Sequence, residues 1–191
     1  TLASVAYFAT GPGSGRVTAD ARTVRYTGLE PILDTTVAAA RSFTSEIPGA
    51  QTIVVRDDGA ANGLSRIDDG GTAAFEQITF ANPTGSLTVN AGDGADLIRV
   101  LGLDAAFAAA VVVNAEDGGD SVLMQAAPTG GVTVNGGTGT DAVEVDFGAL
   151  AGAVTVNGGS EADSLRVNGT AGADTLVLAA ASVVRGSESV G

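Results

Sequence analysis

From residue 86 onward, apolar and polar positions alternate in short bursts rather than in helical stripes. Val132-Thr133-Val134 and Val154-Thr155-Val156 each place two valines on one side of an extended chain, the period-two signature of a half-buried strand. Each burst runs into an Asn, a Gly-rich stretch and an Asp, and then into a second alternating segment. One such segment, Ala142 to Val145, sends Val143 and Val145 to the same side. Asn starts a turn because its short amide tolerates left-handed backbone angles and bonds nearby backbone groups. A helix here would carry Gly and β-branched residues at every turn, which helices accept only at a cost.

The bursts repeat. The segment from Val89 to Val100 superimposes without gaps on Val113 to Met124, Val134 to Val145 and Val156 to Val167. Asn90, Asn114, Asn135 and Asn157 stand 24, 21 and 22 positions apart, and Asp96, Asp120, Asp141 and Asp163 keep the same spacing. Two strands joined by a tight corner cannot bury an apolar face alone, whereas stacked copies can. The predicted fold is therefore all-β, a parallel β-solenoid with coils of about 22 residues, right-handed by the general rule for parallel crossovers. In that fold Val89, Val113, Val134 and Val156 stack inward, and the four Asn residues form a structural ladder at a corner.

Residues 1–85 are less regular. Strands are expected near Val5 to Phe8, Arg16 to Ala19, Thr23 to Tyr26, Thr52 to Arg56, Leu64 to Asp68 and Gln77 to Phe80. Turns are marked by Gly11-Pro12-Gly13-Ser14-Gly15, Asp57-Asp58-Gly59, Asp68-Asp69-Gly70-Gly71 and Asn82-Pro83-Thr84-Gly85. Asp34 to Arg41 is the one stretch expected to be helical. Residues 1–85 thus read as irregular β-rich coils with longer loops, and 86–191 as regular coils of one continuous solenoid.

Composition narrows the function. The chain contains no His, Cys or Lys, which removes the Ser-His-Asp triad, the thiol nucleophile, the Schiff base and the imidazole metal site. Carboxylates are the remaining common catalytic groups. A β-helical polysaccharide lyase or hydrolase would draw on Glu144, Asp146 and Glu161, but solvated outward positions on alternating strands are the favoured reading of these residues. Aromatic residues, the usual sugar platforms, make up only 4% of the chain. A net charge of −13 repels nucleic acid and anionic lipid and favours cations. The longest apolar run, Ala105 to Val113, is far short of the roughly 20 residues that span a bilayer, so membrane insertion is not expected. The chain starts at Thr1 without a basic leader, and any signal segment is expected upstream or already removed.

The segments Tyr26 to Ile32, Phe80 to Asn90 and Leu103 to Phe107 resemble repeat units of very large bacterial surface proteins of the adhesin or filamentous-haemagglutinin-like type. That resemblance implies a non-enzymatic structural or adhesive role in a stalk or fibre, an extracellular or cell-surface location, and surface glycans as a candidate ligand class. A second resemblance is to the calcium-binding nonapeptide of repeats-in-toxin proteins. Gly136 to Glu144 fits that pattern throughout. Ala91 to Arg99, Ala115 to Leu123, Gly158 to Arg166 and Gly169 to Val177 depart from it at one or more positions.

Calcium is accordingly the candidate ion, with Asp93, Asp96, Asp117, Asp120, Asp141 and Asp163 as candidate ligands. Stacking would bring the recurring Asp residues within about 4.8 Å of one another. They must then be protonated, turned onto backbone amides or neutralised by a cation. The apolar segments Ser4 to Phe8 and Thr175 to Leu178 read as ordinary coil strands near open ends. They predict end-to-end association with copies of the chain or with flanking repeats.

Overall fold

The computed structural model describes residues 1–172 together with 189 and 190. The irregular part contributes β1 (Leu2–Gly11), β2 (Ser14–Ala19), β3 (Arg22–Thr27), β4 (Ile32–Asp34), β5 (Ala38–Ser45), β6 (Thr52–Asp57), β7 (Leu64–Asp68) and β8 (Ile78–Ala81). The repeats then contribute strands in pairs: β9 (Ser86–Asn90) with β10 (Leu97–Val100), and β11 (Ala110–Asn114) with β12 (Ser121–Met124). These are followed by β13 (Val132–Gly137) with β14 (Ala142–Asp146), and β15 (Val154–Gly159) with β16 (Ser164–Asn168). The last strand is β17 (Ser189–Val190).

Among the described residues these strands form two large, mostly parallel sheets, and no helix is present. The nine-stranded sheet has the order β17-β15-β13-β11-β9-β5-β1-β2-β3, and the eight-stranded sheet β16-β14-β12-β10-β6-β7-β8-β4. From β9 to β16 the chain enters the two sheets alternately, so each repeat lays one strand on each.

Like positions of successive repeats face each other. Val89 pairs with Val113, Val113 with Val134 and Val134 with Val156, and all four are buried. On the facing sheet Ile98, Val122 and Val143 align, as do Val100, Met124 and Val145, and their side chains fill the same core. Phe75, Phe80 and Phe107 are buried in it and Phe147 packs against it. With both sheets turning apolar faces inward, each half-buried strand satisfies its backbone through its neighbours and its side chains through the core.

The irregular part departs from the sequence expectation at two places. Asp34 to Arg41 is not helical: Ile32–Asp34 and Ala38–Ser45 are strands. Asp34 turns its carboxylate onto the backbone amide and hydroxyl of Thr36, a local bond that competes with a helix start. β5 then pairs in parallel with both β1 and β9, and this pairing overrides local propensity. Ser4 to Phe8 does not lie at an open end either, because β1 is flanked by β5 and by the antiparallel meander β2–β3. The edge of the nine-stranded sheet at this end is β3, with Arg22 and Arg25 exposed along it. Charged side chains on an edge discourage further strand addition. Thr175 to Leu178 lies outside the described residues.

Where the core meets this meander, an arginine is buried. Arg41 points inward from β5 with its side chain fully enclosed and pairs with Asp34 at 2.6 Å. Its Nε donates to the carbonyl of Ala81 at 2.8 Å, and its terminal nitrogens also donate to the Tyr7 hydroxyl and the Thr36 carbonyl. The Tyr7 hydroxyl in turn donates to Asp34. Burial alone would raise the Asp34 carboxyl, but the bonds from Thr36, Tyr7 and Arg41 outweigh it and hold the group at about 2. A buried charge is tolerated because each of the three guanidinium nitrogens finds an acceptor and a carboxylate stands beside them.

The pleat makes a direct test of this register available. Val134 faces the core and its neighbour Thr133 faces out. Val134→Asp is expected to lower unfolding stability by several kcal/mol through an unpaired buried charge, whereas Thr133→Asp should change it by no more than about 0.5 kcal/mol. Denaturant titration of the two variants checks this, and equal losses would contradict the register.

Candidate functional site

The corner that leads from the nine-stranded to the eight-stranded sheet carries two polar columns. On the outer face of β9, β11, β13 and β15, Asn90, Asn114, Asn135 and Asn157 stand in register. Each side-chain amide donates to the carbonyl oxygen of the Asn before it: Asn114 to Asn90 at 2.7 Å, Asn135 to Asn114 at 2.8 Å and Asn157 to Asn135 at 2.8 Å. Asn90 donates to Thr44 Oγ1 at 3.0 Å, which begins the column on β5. An amide carries both donor and acceptor, so such a chain can lengthen with every added repeat.

Asp96, Asp120, Asp141 and Asp163 form the second column, on the far side of the turn. A carboxylate only accepts, so these side chains cannot bond one another in the same way. Instead Oδ1 of each accepts the backbone N–H of the residue one repeat earlier. Asp96 accepts from Gln51 at 2.6 Å, Asp120 from Asp96 at 2.7 Å, Asp141 from Asp120 at 2.8 Å and Asp163 from Asp141 at 2.9 Å. Gln51 holds the position that an Asp holds in later repeats.

The glycines of the turn are needed for this approach. A Cβ at Gly136 would overlap Asp141 Oδ2 and the Gly158 carbonyl. Gly139, at φ +117°, would press one into the Gly118 carbonyl.

The second oxygen of each inner carboxylate is not matched. Asp96, Asp120 and Asp141 are almost wholly buried, and their Oδ2 atoms have no hydrogen-bond partner among the described residues. Burial pushes Asp96 up to about 7. The bond from Gln51 opposes this shift, while Asp120, Glu116 and Asp93 add to it. Burial likewise raises Asp120 to about 6, against the bond from Asp96 and with the help of Asp141. Asp141 is raised for the same reason, with Asp163 and Glu161 adding to the effect. These are carboxyls on which a proton relieves both an orphaned oxygen and a like charge one strand away.

The six candidate calcium ligands therefore separate. Four share the column, with Asp96, Asp120 and Asp141 buried and Asp163 half-buried. Asp93 and Asp117 are exposed, with Asp117 accepting from the Thr138 hydroxyl at 2.8 Å. Among the described residues no group of three or more ligating side chains is gathered to hold a metal ion.

The alternative catalytic carboxylates separate as well. Asn168 bridges Glu144 at 2.5 Å and Asp146 at 2.6 Å on the outer face of the eight-stranded sheet. Glu161 lies in the turn and accepts from Gly139 N at 2.8 Å. Asp146 is held below the usual carboxylate range by Asn168 and Gln125, and Glu161 by Ser160 and Gly139. A general acid needs the opposite shift.

Thr44 and Gln51, which start the two columns, are not apparent from the repeat. They precede their partners by 46 and 45 residues, because β7 and β8 are inserted between. Comparison with known protein families, with curated proteins and with solved structures finds no match.

The column makes stability depend on pH. An ordinary Asp titrates near about 4, while Asp96 and Asp120 do so near about 7 and about 6 in the fold. Between these limits the folded chain binds more protons than the unfolded chain, so stability falls as pH rises from about 4 to about 7 and then levels off. Asp34, held at about 2, acts in the opposite sense, and its contribution is lost as pH falls below about 4. In the presence of a chelator, the melting temperature is expected to drop between pH 5 and pH 8. The double variant Asp96→Asn/Asp120→Asn should melt higher than the parent at pH 8 and show a flatter profile. A parent that melts at the same or a higher temperature at pH 8 would rule out protonated column carboxyls.

Proposed function

We propose that the chain is a non-enzymatic structural or adhesive segment of a large extracellular protein on the bacterial surface. In this reading its two sheets are the walls of a right-handed parallel β-solenoid with coils of about 22 residues. The observation that carries the reading is the register of like with like. Valine on valine, Asn on Asn and Asp against Asp recur through four successive repeats. An array whose contacts run only between neighbours builds length and a repeating surface, which is what a stalk or fibre requires. The side-chain inventory agrees, since it holds no imidazole, thiol or amine for catalysis.

The same reading covers partners and ions. Further repeats or copies of the chain are the natural end-to-end partners of such an array. Calcium is the cation proposed to neutralise the Asp column when its carboxyls are ionised. Calcium titration by calorimetry, with melting in calcium and in chelator at pH 8, tests that element. Heat of binding and a raised melting temperature are expected, and no heat with unchanged melting would exclude it.

Deletion of one repeat tests the architecture. Asn114 and Asn135 occupy equivalent places 21 residues apart, so removing residues 114–134 joins equivalent positions. The shortened chain is expected to keep its β circular dichroism and its cooperative unfolding, and to lose about 4.8 Å of length by small-angle scattering. Failure of the shortened chain to fold would mean that the sheets close on themselves and do not extend by repetition.

A further inference from the structure

Only two arginines of the described residues lie beyond Arg66, and the fold brings both to one place. The outer face of β10, β12, β14 and β16 forms a shallow trough of about 350 Å³, within the size range of ligand sites. Its floor is a column of small side chains, with Ser121, Ala142 and Ser164 in register. Its wall is the next outward column: Arg99 pairs with Leu123, Leu123 with Glu144 and Glu144 with Arg166. Arg99 and Arg166 thus stand three strand steps apart, about 14 Å.

Both guanidiniums are available. Arg99 is exposed and has no hydrogen-bond or ion-pair partner among the described residues. Arg166 keeps 73% of its side chain exposed, lies 4.0 Å from Glu144 and donates to Asn168 at 2.9 Å.

We propose that this trough binds an extended carboxylated glycan, lying across the strands with its acid groups on Arg99 and Arg166. Charge complementarity places the carboxylates at the two forks, where bidentate bonds form. Glu144 lies between them and accepts from sugar hydroxyls, and Ser121 and Ser164 line the floor beside them. Leu97 and Leu123 offer aliphatic surface to the C–H faces of the rings. An acidic peptide is less well served, because extended peptides gain affinity from unpaired backbone at a sheet edge and this face has none to offer. The repulsion from a chain of net charge −13 is screened beyond about 8 Å at physiological salt.

This inference rests on the adhesive reading, in which outward faces meet ligand. Its failure would leave the repeat-deletion result untouched. The test is calorimetry at physiological salt with a uronic acid hexamer, a neutral glucose hexamer and hexaglutamate, using the parent chain and Arg99→Gln, Arg166→Gln and Arg25→Gln. Arg25 lies on β3 at the far end and carries the same charge change.

The uronate hexamer is expected to bind, and each trough variant should weaken it about tenfold. The Arg25 variant should match the parent. Arg166→Lys keeps the charge and loses the fork, so it should recover only part of the affinity and carries the comparison if Arg166→Gln melts lower. Absence of heat with the uronate, equal binding of the glucose hexamer, equal weakening by Arg25→Gln, or tighter binding of hexaglutamate would each overturn the proposal.

Discussion

The constraint on which everything else depends is parallel, in-register pairing between equivalent positions of successive repeats. Parallel pairing sets like against like, so every residue type chosen for one repeat must tolerate its own copy about 4.8 Å away. Valine meets that condition by packing and glycine by leaving space. Side chains with polar groups must find a chemical solution, and two different ones sit on either side of a single turn.

Asn solves it within its own side chain. Each amide both gives and receives a hydrogen bond, so the column from Thr44 to Asn157 is closed along its length and carries no charge. Asp cannot do this and borrows the backbone N–H of the preceding repeat for one oxygen. That bond ties consecutive turns together, but it leaves the second oxygen buried and unmatched. The same residue that fastens the turn therefore makes it sensitive to protons. A neutral column holds the stack and an ionisable one conditions it.

The meander end answers a different problem. A repeat stack presents its apolar interior wherever repetition stops, and here the parallel rule is abandoned. β2 and β3 run antiparallel, the outer edge carries arginines, and the core is closed by Arg41 bonded to Asp34, Tyr7 and backbone carbonyls. A hydrophobic side chain at that point would pack as well, but it would leave the carbonyls of Thr36 and Ala81 without the donor that Arg41 gives them and the carboxylate of Asp34 without its opposite charge.

What the sequence determined by itself is the repeating part. A gapless recurrence of Val-Asn, glycines and Asp specifies which strands alternate, which face each valine takes and which residues share a column, because pleat period and repeat spacing are both local quantities. Thr44 and Gln51 were not legible, since the β7–β8 insertion breaks the spacing that would have revealed them. Arg41 was not legible either: in a window of alanines next to Asp34 it reads as a helix residue, and only pairing of β5 with β1 and β9 makes it an inward strand position. The proton affinity of Asp96 and the meeting of Arg99 with Arg166 were likewise decided by tertiary structure. Burial and proximity between residues far apart in the chain have no local signature, and they exist only once the sheets have formed.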